Sequence, residues 1–431
     1  METHSKLSAR NALAVLRPGP FRRYVIGSAI SDTGTWMQVM AQGFVMSTLT
    51  TKAVLLGVGN LAAGLPMLAL TMVGGAAADR FDKRKILLCT QYVQIALALG
   101  IGALIATHRI QIWHIFAFAF FLGISNSFEM PTLSALVPEL VEKNQIQNAI
   151  AVDRAVFHGS RVLGPSLAGV FIGIWGAASA FFFNAVSFVA LIIAIMSLPP
   201  RRRGTAEEEE KRTSGIKDGF KFIAADRASW SMVALIASTT VFIFPIITIM
   251  MPLYVRLVLH MGADRLGLLM GASGVGSVVG AIFLITIPRN KRISLMMVCV
   301  GVVGCAIFGL SRAPGFNIAL ALLVLNSLGM SMNFGLANTI VQERAPDYLR
   351  GRVSAVFMLS FVGLLPFSGL GITSISDLIG MPHALLIAAI CYTIIGWFVL
   401  GRVREECGGE GESTIEEAGT PPPPVAAAPT A

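Results

Sequence analysis

Apolar stretches long enough to cross a lipid bilayer recur along this chain, and no other feature narrows its fold as far. A helix needs about 17 to 25 mostly apolar residues to span the hydrocarbon core. Such runs fall near 24–48, 53–77, 86–107, 111–135, 148–173 and 177–198, then near 230–255, 264–288, 293–311, 316–340, 352–376 and 381–401. In lipid every backbone polar group must be paired within the chain, so runs of this length imply helices rather than strands. The expected fold is an all-α membrane protein with twelve transmembrane helices. Composition agrees: 13% of residues are charged and 55% hydrophobic, where a soluble chain carries roughly 25% charged residues.

A charged connection, residues 199–229, divides a first six-helix bundle (24–198) from a second (230–401). A basic arm (1–23) precedes them, with neither the short apolar core nor the small-residue cleavage site of a signal peptide. The tail, 402–431, lacks apolar periodicity and is expected to be disordered. Within the connection, "IKDGFKFIAADR" has the pattern of an amphipathic helix whose Lys217, Lys221 and Arg227 favour anionic lipid. With both termini on the side of the connection, 28 of the 33 Lys and Arg fall on that side. Lys52, Arg109, Arg256, Arg265 and Arg312 fall on the other. This bias places both termini in the cytoplasm of a bacterial-type inner membrane. It also accounts for the net charge of +9 without a nucleic-acid partner.

Nothing in the chain has the pattern of an enzyme site or a cofactor site. The five cysteines form no CxxC pair or Cys/His cluster. "GASGVGSVVG" (Gly271 to Gly280) resembles a dinucleotide loop but sits inside an apolar span with no preceding strand, so it is assigned to helix packing. The aromatics Trp36, Phe242 and Phe244 either line an apolar substrate chamber or make lipid or helix contact, the latter being the default.

Two short matches relate the halves. "GISNSF" (Gly123 to Phe128) in span four corresponds to "GMSMNF" (Gly329 to Phe334) in span ten. "DKRKILL" after span two corresponds to "RNKRISL" after span eight. Repeated halves around a midplane site are a transporter signature. The stretch "GAAADRFDKRK" (Gly75 to Lys85) then becomes readable, since it resembles the inner-loop signature of the major facilitator superfamily, with Asp82 where that signature has Gly. "SDTGTWMQ" in the first span and "RVLGPSLAG" in the fifth are similar to the branch that contains the enterobactin exporter and macrolide efflux proteins. The resemblance implies two pseudo-symmetric six-helix halves, alternating access, and function as a monomer. The arginine that many drug antiporters of the superfamily carry in span four is absent.

By the same resemblance the loop holding Gly75, Asp79, Arg80, Lys83 and Arg84 is a latch of the inner gate. Arg350 or Arg352, in "QERAPDYLRGR", is the expected partner of Asp79. Gly75 and the alanines beside it permit close helix packing. Gly164, Pro165 and Gly169 resemble the span-five Gly-Pro signature of antiporters, which implies export by exchange; physically they can serve as a hinge or simply as packing.

Coupling candidates come from ionisable residues inside apolar spans, which are paired, protonated or functional. In span one, Ser28, Ser31, Asp32, Thr35, Gln38 and Gln42 fall within an arc of about 120° at helical periodicity. This stripe must face protein or water. Asp32 in it is either a proton or substrate site or a structural bond to another helix. In span four Ser125, Glu129 and Thr132 share a face beside Pro131, and in span five Arg154, His158 and Arg161 do the same. Glu129 and Asp153 are the expected acidic partners of these arginines.

The residues and the resemblance together lead to one expectation: a proton-coupled exporter of a partly apolar small molecule, such as a siderophore or macrolide. Its partners are that substrate, protons and membrane lipids. An uncoupled facilitator or an importer of the same fold, and a non-transporting receptor or scaffold, are the alternatives.

Overall fold

The computed structural model describes residues 15–198, 216–284, 287–346 and 348–419. Among them no strand forms, and the chain folds into helices α1 (Pro20–Leu49), α2 (Ala53–Arg80), α3 (Lys83–Ala106), α4 (Ile112–Leu136), α5 (Ile146–Trp175) and α6 (Ala178–Met196). After the connection come α7 (Ile216–Ala225), α8 (Arg227–Val258), α9 (Ala263–Phe283), α10 (Arg292–Ser311), α11 (Phe316–Arg344), α12 (Arg350–Ile379) and α13 (Met381–Gly419). Among the described residues eleven helices are long and apolar enough to cross a membrane, one fewer than the twelve expected. Besides the short α7, the helix outside that set is α1. Its polar stripe dilutes its apolar character, yet with 30 residues it reaches about 45 Å and packs against α5 and α6 as part of the bundle.

The halves repeat one pattern of neighbours. In the first, α2 lies against α4 and α3 against both α4 and α6; in the second, α9 lies against α11 and α10 against both α11 and α13. Small residues let these backbones meet. A Cβ on Gly123 of α4 would overlap the Ala63 carbonyl of α2, and one on Gly74 the Ser127 carbonyl. Ser127 Oγ donates to the Pro66 carbonyl (3.2 Å) and Ser331 Oγ to the Ser277 carbonyl (2.8 Å), so each copy of the short repeat ties its helix to the same neighbour. The packing glycine beside the charged loop is therefore Gly74. Gly75, one residue and about 100° further round the helix, meets nothing within 4 Å.

The halves meet at the end of the bundle opposite the connection, the far end. There α5 crosses α9, where Gly169 lies against Ala263 and Gly267, and Gly267 against Pro165. On the other side α2 meets α12: Asn60 Nδ2 donates to the Leu365 carbonyl (3.2 Å), and Asp377 caps α2 by accepting from the Ala53 and Val54 N–H groups (2.7 and 2.9 Å). Arg256 of α8 donates to the Ser47 carbonyl of α1. Among the described residues, every hydrogen bond and close glycine contact between the halves lies from Gly64, Val162 and Pro252 toward this far end. Toward the connection the α2 face continuing from Gly64 is open: Thr71 is exposed and a Cβ on Gly75 would meet nothing within 4 Å. The bundle is closed at one end and open at the other.

The connection's described helix, α7, packs on α12. Its Gly219 approaches the Arg352 backbone, and Asp218 pairs with Arg352 (2.8 Å). Just beyond α7, Asp226 caps α8 through the Ser229 N–H (2.9 Å) and receives the Arg344 guanidinium at 2.7 to 3.0 Å. Burial pushes the Asp226 carboxyl up, but Arg344 and Ser229 outweigh it and hold the group below its ordinary 3.8. A depressed carboxyl contributes stability that is complete above its unfolded value and lost as pH falls through the folded one. Thermal unfolding between about pH 5 and pH 3 should therefore show an acid-dependent loss in the wild type that Asp226→Asn lacks. The pair is partly exposed, which limits the difference to about 1 kcal/mol; parallel acid slopes would remove the assignment.

The last helix extends beyond the second bundle. The tail expected to be disordered from residue 402 continues helically to Gly419, and residues 420–431 lie outside those described.

Candidate functional site

Apart from those of the charged loop and the α4–α5 connection, three carboxylates lie in the first half, and each is held by neutral donors. Asp32 of α1 accepts from Ser28 Oγ one turn earlier (3.0 Å). Asp153 of α5 accepts from the Tyr24 hydroxyl of α1 (3.1 Å). Glu129 of α4 accepts from Gln91 Nε2 (2.6 Å) and from Gln94 of α3. Gln94 also reaches Ser125 Oγ at 3.2 Å. None of the three forms an ion pair among the described residues, and Asp32 lies within electrostatic reach of Glu129, Asp153 and Arg154.

The expected pairing of Glu129 or Asp153 with the arginines of α5 is thus not formed. The face of α4 that carries Ser125 and Glu129 turns toward α3, where two amides one turn apart receive it. Tyr24 occupies Asp153. Sequence reasoning missed Tyr24, Gln91 and Gln94. The available signal was two glutamines at i and i+3 inside an apolar span, a spacing that puts both on one face.

The span-one stripe divides between neighbours. Gln38 is buried and accepts from Asn184 Nδ2 of α6 (2.9 Å), so it serves helix packing rather than an open chamber. Its direction differs from that of Asp32 by about 120°, enough to face a different helix. Thr35 and Gln42 are half-buried, as is Asp32, while Ser28 is buried beneath it.

Facing the opening from α5 is Arg161. Its guanidinium carbon lies 5.3 Å from the centre of the Trp36 ring on α1 and 5.7 Å from that of Phe244 on α8, across the boundary between halves. Phe244 continues into an aromatic group with Phe361 (4.9 Å), which in turn lies 5.4 Å from Phe334. Trp36 and Phe244, for which the sequence leaves a substrate chamber beside the default of lipid or helix contact, are the two rings that flank the central cation. Helix α8 is distorted here into π-type turns, Thr239–Ile243 and Ile246–Met250, on either side of Phe244 and Pro245. Proline removes a backbone donor, and π-bulges often sit at functional positions. Arg154 and His158 line the same face of α5 closer to the open end, and both are exposed.

The Gly-Pro segment of α5 touches both halves. Gly164 accommodates α1, where a Cβ would fall 2.5 Å from Trp36 Cβ and 2.8 Å from the Thr33 carbonyl; Pro165 and Gly169 accommodate α9. The charged loop behaves differently from expectation. Asp82 caps α3 by accepting from the Arg84 N–H (2.9 Å), the buried Lys83 binds Glu139 and the Ala135 carbonyl, and Arg84 reaches the Met196 carbonyl of α6 (2.8 Å). These bonds all stay inside the first half. Asp79 and Arg80 are exposed, Arg352 is paired with Asp218, and Arg350 donates to the Gln342 carbonyl (3.3 Å). The expected Asp79 clasp with Arg350 or Arg352 is unformed because the halves stand apart at this end.

A helical bundle closed at one end around a flanked arginine and three unpaired carboxylates has the layout of a transporter. The model of the transmembrane secretion effector family, a group of major facilitator transporters, matches residues 10–428. The chain belongs to this family. This secretion effector is a multi-pass membrane transporter, not an enzyme. It is 24% identical over 383 residues to the staphyloferrin A transporter of Staphylococcus aureus, covering 86% of this chain and 94% of that one. With macrolide efflux protein A of Streptococcus pyogenes it shares 22% over 380 residues, 86% of this chain and 93% of the relative. Among solved structures it superposes with a TM-score of 0.69 on a bacterial homolog of the human lysosomal transporter Spinster, at 13% identity, covering 89% of this chain and 96% of that one. The xylose transporter XylE from E. coli gives a TM-score of 0.66 at 12% identity, covering 88% and 95%. At these identities the structural likeness concerns the fold.

Proposed function

We propose that this secretion effector is a proton-coupled exporter of a partly apolar small molecule in the bacterial cytoplasmic membrane. Its open end and both termini face the cytoplasm. The observation that carries the reading is the set of three carboxylates on α1, α4 and α5 with only neutral hydrogen-bond donors around them. Carboxylates inside a membrane bundle are costly as anions without a cationic partner, and a proton removes that cost. Asp32 is the principal coupling residue, since it borders the face that holds Trp36, and Glu129 is the second.

Protonation changes the charge of the first half and so biases the equilibrium between an inward-open and an outward-open state. In the passage to the second state the α5–α9 and α2–α12 contacts part. The Asp79 loop then closes on Arg350 or Arg352. A siderophore, a macrolide or a hydrophobic drug is the substrate class suggested by the relatives and by the mixed lining.

The test uses inside-out vesicles with an acidified lumen and a pH-sensitive dye. Addition of a siderophore or drug that is transported should evoke saturable proton efflux from vesicles containing the protein and none from empty ones. Accumulation that is unaffected when the proton gradient is collapsed would replace the exporter reading with an uncoupled carrier.

A further inference from the structure

Arg161 lies halfway along α5, with a Trp36 face at 5.3 Å and a Phe244 face at 5.7 Å. Among the described residues it makes no ion pair and no hydrogen bond, although it is only half-exposed. A guanidinium carries five N–H donors in a planar fork. Contacts over ring faces offset part of its desolvation but leave the in-plane donors unused. Those donors are what a carboxylate satisfies in bidentate fashion.

Among the described residues no internal carboxylate fills the role. Asp32, Asp153 and Glu129 are engaged by Ser28, Tyr24 and the pair Gln91 and Gln94. The other ionisable groups on the same face, Arg154 and His158, are basic or neutral and add no negative charge. The rings beside the cation extend into the second half through Phe361 and Phe334, giving an apolar, aromatic surface next to an unsatisfied cation.

We propose that Arg161 is the anion-binding point of the transport site, and that the substrate is a carboxylate carrying an aromatic or otherwise flat apolar body. The carboxylate takes the guanidinium edge, while the apolar body lies against Trp36, Phe244 and Phe361. Because Trp36 and Phe244 belong to different halves, a substrate seated here touches both of the bodies that alternating access moves. The assignment rests on the reading of the chain as a transporter of small molecules and deepens it to a substrate class.

The experiment measures binding to the full-length protein in nanodiscs without a proton gradient, using 2-naphthoate, 2-naphthamide and 2-naphthylmethylammonium in equilibrium dialysis. Naphthoate should bind saturably and at least about tenfold tighter than the amide, the ratio that one charge-assisted hydrogen-bonded pair supplies. Arg161→Gln should remove that preference by bringing naphthoate binding down to about that of the amide in the same variant, and Arg161→Lys should restore part of it. Trp36→Ala should weaken naphthoate and amide alike. Absence of saturable naphthoate binding, equal binding of the three probes, or an anion preference that survives in Arg161→Gln would overturn the assignment. Charge-selective binding without proton-coupled flux would instead leave this site standing and remove the exporter reading.

Discussion

Asp32→Asn is expected to abolish substrate-evoked proton movement while leaving the protein folded. Asparagine has nearly the same shape as aspartate and can still accept from Ser28 Oγ, the one hydrogen bond the structure gives this side chain, at 3.0 Å. What it cannot do is gain or lose a proton. In a coupled carrier the proton biases two states only through its different binding to each, and its loss leaves the equilibrium where the substrate alone sets it. Proton-driven substrate accumulation in vesicles should therefore fall by about a hundredfold or more, the order a few kcal/mol of lost bias implies. Substrate exchange in the absence of a gradient should persist.

Glu129→Gln gives the comparison. Its carboxylate is received by Gln91 and Gln94; an amide in its place keeps one acceptor oxygen but turns an NH2 toward the other glutamine, whose amide must flip to accept it, so a loss there mixes coupling with packing. Proton release in Asp32→Asn equal to that of the wild type would transfer the coupling role to Glu129 or Asp153.

Gly267→Val should hold the far end open. A Cβ at this position would sit 2.5 Å from the Pro165 carbonyl oxygen, 2.9 Å from Gly169 Cα and 3.0 Å from Gly169 N. All three are backbone atoms, so no side chain can swing aside and α5 must move away from α9. Overpacking of this kind costs about 1 to 3 kcal/mol, comparable to the gap between functional states. The population should shift by about tenfold to a hundredfold toward the conformation in which the two helices part.

A reporter is available in Ser47, which is fully buried where Arg256 crosses to α1. With the five native cysteines replaced, Ser47→Cys should react slowly with a membrane-impermeant thiol reagent. In combination with Gly267→Val it should react at least about tenfold faster. Gly173→Val, on α5 where a Cβ meets nothing within 4 Å, is the control. Equal reaction rates in all three backgrounds would mean that the α5–α9 crossing does not govern access from this end.

Much of the bundle was legible in the residues. Apolar runs located the spans because hydrocarbon excludes unpaired backbone wherever it occurs in a chain. The exception is instructive: α1 fails the apolar criterion because of the stripe that includes Asp32 and Gln38, the feature that marked it for function. Pairing was not legible. The i, i+4, i+7 spacing correctly placed Arg154, His158 and Arg161 on one face, but it could not say that Trp36 and Phe244 rather than Glu129 would meet the last of them. Nor could it show that Lys83 and Arg84 would turn into their own half.

From the sequence alone came the helices, their grouping in two related halves and the presence of carboxylates and arginines within apolar spans. All of these follow from local periodicity and from the cost of polar groups in lipid. Tertiary structure alone decided which helix covers each polar face, which glycines form the crossings, and that the bundle is closed at the far end with the Asp79 clasp undone. The reason is physical: a helix sets the angles between its own side chains, whereas the group opposite each one depends on how separate helices cross and on which of two states the halves adopt.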